Sequence, residues 1–401
     1  MDSRRRDRIR SYRREDFSGV PARPRPPRTQ GRRTGHGRSP RRGKNLQHPE
    51  DGSRRLTTEA ERDAAALRER LLALGADHVG IAPASLADDR PPDGAALERW
   101  LKKGMHGAMG YMERDPQARA DVRAWFPEAR SVAVAAFSYR IPDDAPELPG
   151  TGRLAAYARP PDYHDTLKEI MRDAARWCSE RWPGTAAKPF VDTSPLLERL
   201  YARAAGLGWV GKNTMLLSRK AGSYFLLAGM ALDRELAPDT PVSDHCGSCR
   251  RCLDACPTDA FAEARVLDAS RCVAYFTVEH RKKPIPEAFR EGHGDWLFGC
   301  DACQEACPWN RFAKEARVFE ARLPPRLDPE EIVAMTPEEF HLRFKGTPLR
   351  RTGWAALVRN ALLVMGNSKD PAHRNSLERY ARHDDAVLAE QARWSLAQLI
   401  R

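Results

Sequence analysis

Two stretches, CGSCRRCLDACPTDAF at residues 246–261 and GCDACQEACPWN at residues 299–310, decide how this chain of 401 residues folds. In the first stretch, cysteines separated by two, two and three residues precede a proline: Cys246, Cys249, Cys252 and Cys256. Three closely spaced thiolates can bind three irons of one [4Fe-4S] cluster, whereas the cysteine after the three-residue step usually binds a different cluster. The spacing therefore predicts a small module that is stabilised by iron–sulfur clusters instead of a large apolar core.

The second stretch repeats this pattern with one ligand too few. It contains Cys300, Cys303 and Cys307, but Leu297 stands where the first cysteine of the pattern would be. Cys272 lies outside both stretches and can supply the missing thiolate. We assign one cluster to Cys246, Cys249, Cys252 and Cys307, and the second cluster to Cys256, Cys272, Cys300 and Cys303. Zinc can also bind four thiolates, but zinc sites more often show two separated Cys-x2-Cys pairs.

Cysteine usage and hydropathy predict a cytoplasmic protein. The chain has nine cysteines, an odd number, and eight of them fall between Cys246 and Cys307 at short repeated spacings. This pattern is typical of metal ligation in a reducing compartment. The remaining Cys178 lies in an amphipathic helical pattern, which favours a buried structural thiol. No run of about 18 apolar residues predicts a membrane helix, and the Arg-rich start lacks the apolar run of a secretory signal.

The net charge of +12 is confined to the start of the chain. Residues 1–55 contain 18 Lys or Arg and 6 Asp or Glu, so acidic and basic side chains balance in the remainder. Because Arg, Pro, Gly and Ser dominate there with almost no apolar periodicity, we predict that residues 1–56 form a disordered basic extension. This extension is either a phosphate-binding arm or a dispensable tail.

Beyond the extension, the sequence predicts an α+β fold in three domains. The first is a mixed α/β domain over residues 57–240, with a helical pattern at 166–182. Its apolar segments with the pattern of strands lie at residues 78–82, 131–137, 189–192 and 223–232. Residues 241–318 are predicted to form a ferredoxin-like domain with two [4Fe-4S] clusters. Residues 319–401 are helical in pattern, and RNALLVMGN and AEQARWSLAQL resemble second helices of HEAT-type repeats, with a plain helical bundle as the alternative.

A further unusual segment, VDTSPLLERLYARAAGLGWVGKNT at residues 191–214, places Asp192 between a predicted strand and a predicted helix. Reactive groups of α/β folds often occupy this position, but an ordinary turn aspartate is the alternative. We expect the helix to begin with Ser194 as its N-cap and Pro195 in its first turn. The glycines that follow match dinucleotide-binding and phosphate-loop motifs. Both motifs need a strand immediately before them, and here a helix precedes, so we interpret both matches as coincidental.

The triplet Asp162-Tyr163-His164 begins like the Asp-x-His-x-x-Gly motif of proteins that bind a corrinoid through histidine. Leu167 stands at the position that this motif reserves for glycine. The sequence therefore does not support a histidine ligand on the lower face of cobalt. We interpret His164 as an ordinary surface or core histidine.

Taken together, the Asp192 segment, the two cysteine stretches and RCVAYFTVEHR at residues 271–281 resemble the epoxyqueuosine reductase family. The resemblance covers about residues 60–320 strongly and the helical tail more loosely. It implies a corrinoid-binding α/β domain, a ferredoxin-like domain with two [4Fe-4S] clusters, and a HEAT-like helical domain that helps to hold tRNA. The implied reaction is the two-electron reduction of epoxyqueuosine to queuosine at the wobble position of tRNA, the last step of queuosine biosynthesis.

The resemblance also implies roles for single residues and for partners. Asp192 matches the family's proton donor, which has to be protonated near neutral pH, so we expect a bound cobalamin to raise its pKa. Arg114, Arg199 and Asp301 fall at or near positions expected to touch the corrinoid or the substrate. The implied partners are tRNA carrying epoxyqueuosine and an external low-potential electron donor, and we expect a monomer.

Basic residues of the helical tail are candidates for contacts with tRNA phosphates: Arg343, Lys345, Arg350, Arg351 and Arg359. A group of this kind is more often a solvated basic face. A tRNA substrate shifts the expectation toward phosphate contacts, which weaken as the salt concentration rises.

Two other functions remain open at the level of sequence. One is another corrinoid iron–sulfur reductase of the reductive dehalogenase type, which acts on small molecules and has no need of a repeat-like helical tail. The other is a dicluster ferredoxin that carries electrons and has no substrate of its own. Recovery of bound corrinoid from the purified protein would distinguish an enzyme from a simple electron carrier.

Overall fold

The computed structural model describes residues 58–86, 93–142 and 148–400. The basic extension predicted over residues 1–56 lies outside the described residues. The strands are β1 His78–Pro83, β2 Ser131–Ser138, β3 Gly152–Leu154, β4 Ala187–Val191, β5 Trp209–Val210, β6 Leu216–Leu217, β7 Phe225–Leu232, β8 Phe261–Glu263, β9 Val266–Leu267, β10 Trp296–Phe298 and β11 Arg326–Leu327. The α-helices are α1 Glu59–Ala73, α2 Asp93–Lys102, α3 Pro116–Ala120, α4 Val122–Trp125, α5 Tyr163–Arg181, α6 Glu198–Ala204, α7 Arg251–Asp254, α8 Val273–Val278, α9 Glu287–Arg290, α10 Ala302–Glu305, α11 Pro329–Ala334, α12 Pro337–Arg343, α13 Trp354–Ser368, α14 Arg374–Ala381 and α15 Ala386–Leu399.

A four-stranded antiparallel sheet in the order β1-β2-β7-β4 organises the N-terminal half. β2 is buried along its whole length and pairs with β7, with Ser131 opposite Leu232. Successive side chains of a strand point to opposite faces of a sheet, so Phe137 and Val134 of β2 lie in two different apolar clusters. The four segments predicted as strands all form strands of this sheet, so that prediction is confirmed.

Helices α1 and α5 cover one face of this sheet. Their buried residues recur at helical spacing and form one apolar stripe on each helix: Leu67, Leu71, Leu167 and Met171. Cys178 of α5 lies in the same core, and its Sγ is 3.9 Å from Sδ of Met230. The prediction of a buried thiol at Cys178 is therefore confirmed. Helix α6 packs on the other face through residues that include Tyr201 and Ala204.

A small three-stranded sheet joins the three segments that the sequence predicts as separate domains. Its order is β10-β3-β11, with β3 parallel to β10 and antiparallel to β11. β3 belongs to the N-terminal segment, β10 to the cysteine-rich segment and β11 to the helical tail. The N-terminal segment therefore pairs through β3 with one strand of each of the other two segments, and the predicted domain bounds stay predictions.

The C-terminal segment is built on α13, whose residues from Ala356 to Gly366 are all buried. Helices α11, α14 and α15 contribute to the same apolar cluster through Ile332, Leu377 and Leu388. The two sequences predicted as HEAT-type second helices lie in α13 and α15, and both helices contribute to this cluster. Among the described helices, none is long and apolar enough to cross a bilayer.

The helix after Asp192 starts later than the sequence predicts. Ser194 and Pro195 were expected at its N-terminus, but α6 begins at Glu198. The residues before it form a turn in which the amide of Leu197 donates to the Arg119 carbonyl at 2.9 Å, so this segment is tied to α3 instead of continuing the helix. The expectation of a Ser194 N-cap is therefore wrong.

Candidate functional site

Asp192 follows directly after β4, at the point where the N-terminus of α5 approaches the same end of the strand. Its carboxylate is partly exposed, with 41% of the side chain accessible. Asp162 is the N-cap of α5, and its side chain accepts from the backbone amide of His164 at 3.1 Å. The helix therefore presents Tyr163 and His164 to Asp192.

His164 lies between two carboxylates. Its Nε2 is 2.5 Å from Oδ1 of Asp192, and its Nδ1 is 2.6 Å from Oδ1 of Asp162. The hydroxyl of Tyr163 donates to Oδ2 of Asp192 at 2.6 Å. Both oxygens of the candidate proton donor are therefore hydrogen-bonded to residues of one helix end. Only 5% of the His164 side chain is exposed, so the imidazole is fixed in this bridging position.

Hydrogen bonds within this group set the charges of Asp192, His164 and Asp162. Burial alone raises the pKa of Asp192, but the hydrogen bonds from His164 and Tyr163 outweigh burial and lower it. Burial alone lowers the pKa of His164, but hydrogen bonds to Asp162 and Asp192 outweigh this effect and raise it. For Asp162, burial is outweighed by His164 and Arg351, and its pKa falls to about 2. His164 is buried, in agreement with its interpretation as a core histidine, and it also bridges two carboxylates, whereas the effect of a bound cobalamin on Asp192 stays a prediction.

The helical tail contributes one residue to this network. Nε of Arg351 donates to Oδ2 of Asp162 at 3.0 Å, so Asp162 binds a cation from the tail and the imidazole from α5. Arg351 was predicted as a phosphate contact because it belongs to the basic group of the tail. The structure engages its guanidinium with a carboxylate next to the site.

An aromatic layer lies between Asp192 and part of the cysteine-rich segment. The Tyr157 ring centroid is 6.4 Å from that of Tyr163 and 6.1 Å from that of Phe298. Burial raises the pKa of Tyr157, and the nearby charges of Asp301, Asp192 and others raise it further. Tyr157 also packs in an apolar group with which Cys300 is in contact. Tyr157 therefore lies near Asp192 and packs against the same apolar cluster as Cys300.

The other predicted contact residues lie in different environments. Asp301 is 4% exposed and accepts hydrogen bonds from the Ala156 amide at 2.7 Å and from Nε2 of Gln304 at 2.9 Å. Burial raises the pKa of Asp301 to about 6. Arg114 and Arg199 are both exposed, and the Arg199 guanidinium donates to the Thr214 carbonyl at 2.7 Å.

The eight clustered cysteines are free thiols that influence one another in two groups. Burial raises the pKa of Cys252, and the neighbouring thiols raise it further: Cys307, Cys246 and Cys249. Burial likewise raises the pKa of Cys303, whose first two thiol neighbours are Cys272 and Cys256. For Cys300, burial acts together with the neighbouring Cys272 and Cys303 thiols. Cys252 is also a neighbour of Cys303, so the two groups lie close to each other.

The donor set of these groups fits iron–sulfur clusters. The indole Nε1 of Trp209 donates to Sγ of Cys246 at 3.4 Å, and the amide of Ala260 donates to Sγ of Cys256 at 3.3 Å. Hydrogen bonds to sulfur are a usual feature of cluster sites. Among the residues that the structure describes, no three Cys, His, Asp or Glu side chains converge on a point that would hold a single metal ion. The assignment of individual cysteines to the two clusters stays a prediction.

The glycine-rich segment after α6 builds a hairpin. β5 and β6 pair with Trp209 opposite Leu217, and a Cβ added to Gly208 would lie 2.0 Å from the Leu217 carbonyl oxygen. Gly208 is therefore required by the close approach of the two backbone segments. Lys212 donates to the backbone carbonyls of Gly247 and Cys249. The segment is engaged with the cysteine-rich loop, as expected if its matches to nucleotide-binding motifs are coincidental.

Comparison with known proteins connects both parts of the site. A family model described as epoxyqueuosine reductase QueG, DUF1730, matches residues 119–193, which include Asp192. A model described as a 4Fe-4S double cluster binding domain matches residues 245–310, which include all eight clustered cysteines. The epoxyqueuosine reductase of Cyclobacterium marinum is 39% identical over 294 residues, or 73% of this chain and 93% of the relative. This chain belongs to the epoxyqueuosine reductase family.

Other epoxyqueuosine reductases are similar over most of their length. The enzyme of Gloeobacter violaceus is 39% identical over 318 residues, which cover 77% of this chain and 97% of the relative. A crystal structure of an epoxyqueuosine reductase with an epoxyqueuosine-modified tRNA-Tyr stem loop has a TM-score of 0.75 to this chain at 29% identity. That similarity covers 84% of this chain and 90% of the other.

The prediction that Arg359 of this epoxyqueuosine reductase family member contacts tRNA phosphates is wrong. Arg359 is fully buried, and its guanidinium donates to the backbone carbonyls of Phe276, Lys283 and His280. A buried guanidinium that holds backbone carbonyls stabilises the fold and is not available to phosphate. Lys345 and Arg350 are exposed. Arg343 is also exposed and pairs with Glu331 at 2.7 Å.

Proposed function

We propose that this chain reduces epoxyqueuosine to queuosine at the wobble position of tRNA, with two [4Fe-4S] clusters supplying electrons to a cobalamin bound beside Asp192. The observation that carries the proposal is that Tyr157 is influenced by the charge of Asp192 and packs against the same apolar cluster as Cys300. A proton-holding group and an electron-carrying group thereby serve one site. Family membership supports the reaction, and the related complex with a modified stem loop supports tRNA as the substrate.

The reaction balances with two electrons and two protons. The epoxide loses its oxygen as water and leaves an alkene in the cyclopentane ring. A cobalamin would supply the strongly reducing centre that this reaction needs and that thiols alone do not provide. Protein groups then have to deliver protons to the oxygen as its carbon–oxygen bonds break.

A corrinoid held beside Asp192 would not take His164 as a ligand. Both ring nitrogens of His164 are bound to carboxylates, so neither nitrogen is available to cobalt. Asp192 keeps a partly exposed carboxylate, and Tyr111 lies nearby with 45% of its surface exposed. Partial burial and nearby carboxylates that include Asp192 raise the pKa of Tyr111 to about 12. Asp192 and Tyr111 would lie against the cofactor and the modified base.

The proton in this proposal is held by the pair of His164 and Asp192 and not by an isolated protonated aspartate. The imidazolium donates through Nε2 to Oδ1 of Asp192. When negative charge develops on the epoxide oxygen, Asp192 takes the Nε2 proton of His164 and passes that proton to the oxygen, and the second proton of the reaction comes from water. The hydroxyl of Tyr163 holds Oδ2 and keeps the carboxylate in orientation.

The tRNA is proposed to bind partly through the exposed cations of the tail, Lys345 and Arg350. These side chains lie close in sequence to Arg351, which is bound to Asp162. A phosphate contact there would place the substrate near the His164 network. A tRNA substrate is consistent with action in the cytoplasm. The proposal also includes a monomer that receives electrons from an external low-potential donor.

Nucleoside analysis of tRNA tests the proposal. A strain that lacks this gene is expected to accumulate epoxyqueuosine, and the wild-type gene is expected to restore queuosine. A gene encoding Asp192→Asn is expected to produce a protein with full iron content that does not restore queuosine. Normal queuosine in the deletion strain would contradict the proposal.

A further inference from the structure

The β5–β6 hairpin contacts the loops of both cysteine stretches. Trp209 of β5 is 2% exposed and donates from Nε1 to Sγ of Cys246 at 3.4 Å. Asn213, in the turn of the hairpin, donates from Nδ2 to the backbone carbonyl of Cys303 at 3.4 Å. The hairpin is therefore part of the surroundings of the cysteines, although it ends 29 residues before the first of them.

Lys212 places a positive charge in the loop between the first two cysteines. Its Nζ donates to the Gly247 carbonyl at 2.7 Å and to the Cys249 carbonyl at 2.8 Å. Its own backbone carbonyl accepts from the Arg265 amide at 2.9 Å, which holds the lysine in place. The ammonium of Lys212 and the indole N–H of Trp209 therefore both donate hydrogen bonds to the same short loop, residues 246–249.

Both groups act on the charge of a cluster bound by that loop. One-electron reduction makes a cluster more negative without making or breaking a bond. A hydrogen bond to a ligand sulfur and a nearby cation stabilise the more negative state, so both raise the reduction potential.

We propose that Trp209 and Lys212 raise the reduction potential of the cluster assigned to Cys246, Cys249, Cys252 and Cys307, so that this cluster accepts electrons from the donor. The second cluster would pass electrons on to the site, because two of its assigned cysteines, Cys272 and Cys300, lie near Tyr157. The two residues are positioning residues, because they touch the cluster loop and not the substrate. The inference rests on the proposed cluster ligands but not on the identity of the substrate.

The test is an anaerobic redox titration of the full chain with both clusters reconstituted, followed by electron paramagnetic resonance. Trp209→Phe keeps the aromatic packing and removes the N–H, so the midpoint potential of the first cluster is expected to fall. Lys212→Gln keeps a hydrogen-bond donor but removes the charge, and it is expected to lower the same midpoint potential. Lys212→Arg keeps the charge, so its midpoint potential is expected to stay close to that of the unaltered chain. Cys272→Ser identifies the signal of the second cluster, whose potential is expected to change least.

Trp309 provides the matched control. Its ring centroid lies 5.3 Å from that of Trp209, so Trp309→Phe makes a similar change in the same aromatic group. The midpoint potentials of both clusters in Trp309→Phe are expected to match those of the unaltered chain. Unchanged potentials in both Trp209→Phe and Lys212→Gln would overturn the inference, as would equal shifts of both clusters. Because the readout is a potential, these outcomes are separate from failure to act on epoxyqueuosine.

Discussion

The imidazole of His164 joins Asp192 to Asp162, with nitrogen–oxygen distances of 2.5 Å and 2.6 Å. This contact assigns Asp192 a chemical state that its position in the sequence does not reveal. The carboxylate accepts from an imidazole whose pKa is raised by its two carboxylate partners, and its own pKa is lowered, so the proton of the pair is held by His164. A proton donor built in this way does not need a strongly raised aspartate pKa.

Removing either member of the pair should slow the reaction. General acid catalysis typically contributes about 10²–10⁴-fold, so Asp192→Asn is expected to lower the single-turnover rate by about that factor. His164→Gln is expected to cause a smaller loss, because Asp192 can still take a proton from water. Rates are measured anaerobically on epoxyqueuosine-containing tRNA, with iron and cobalt content determined for each variant.

Tyr163→Phe is the matched control for this prediction. It keeps the ring that stacks on His164 at 4.0 Å between centroids and removes only the hydroxyl that binds Asp192. Its rate is expected to lie between those of the unaltered chain and Asp192→Asn. A fully active Asp192→Asn protein would remove Asp192 from the mechanism.

The pH dependence of turnover should follow His164. Because its folded pKa lies above the ordinary value of about 6.5, the pair keeps its proton to higher pH than a free imidazole and loses it as the pH rises through the raised value. The rate is therefore expected to fall as the pH rises through that value. In His164→Gln the fall should move toward acid pH, since the proton is then held by a carboxyl group alone. An alkaline limb that is identical in both proteins would show that another group titrates.

The crossed ligand assignment is tested by two neighbouring cysteines of the first stretch. Cys256→Ser should perturb the second cluster, and Cys252→Ser should perturb the first, although only three residues separate Cys252 from Cys256. Electron paramagnetic resonance of the reduced proteins is expected to show the loss or alteration of a different signal in each variant. If both substitutions altered the same signal, the ligand sets would have to be reassigned.

Substitution of buried and of exposed basic residues in the tail should affect different properties, protein stability in one case and tRNA binding in the other. Arg359→Met leaves backbone carbonyls without their buried donor, and we expect it to lower the free energy of unfolding by about 2–4 kcal/mol. Arg350→Glu combined with Lys345→Glu should leave this free energy nearly unchanged and should weaken tRNA binding, with a smaller salt dependence. Denaturant unfolding and binding titrations at several salt concentrations measure the two effects. Unchanged tRNA affinity in the double variant would rule out these phosphate contacts.

Local patterns were sufficient to predict the sheet and the cysteine module. The run from Val132 to Phe137 is apolar at every position because β2 is buried on both faces, and such a run is visible without a partner strand. The cysteine spacing is similarly local. The same reasoning placed the start of α6 too early, because it could not anticipate the hydrogen bond between Leu197 and Arg119.

Contacts between distant segments account for what the sequence did not predict. His164 was judged only against a local glycine motif, but its role depends on Asp192, which lies 28 residues later. Arg359 was grouped with its basic neighbours, yet its partners are carbonyls between Phe276 and Lys283. A buried arginine and an exposed arginine look alike in sequence, because their difference lies entirely in the backbone groups that the fold brings to them.

Anaerobic single turnover with and without cobalamin tests the central claim most directly. The protein with both clusters reduced is mixed with tRNA carrying epoxyqueuosine, and nucleosides are separated after the reaction. We expect stoichiometric queuosine only when cobalamin is bound. Electron paramagnetic resonance spectra of the bound corrinoid are expected to show no nitrogen splitting from a lower ligand. Queuosine formation by protein free of corrinoid, or no binding of cobalamin by protein with intact clusters, would contradict the central claim.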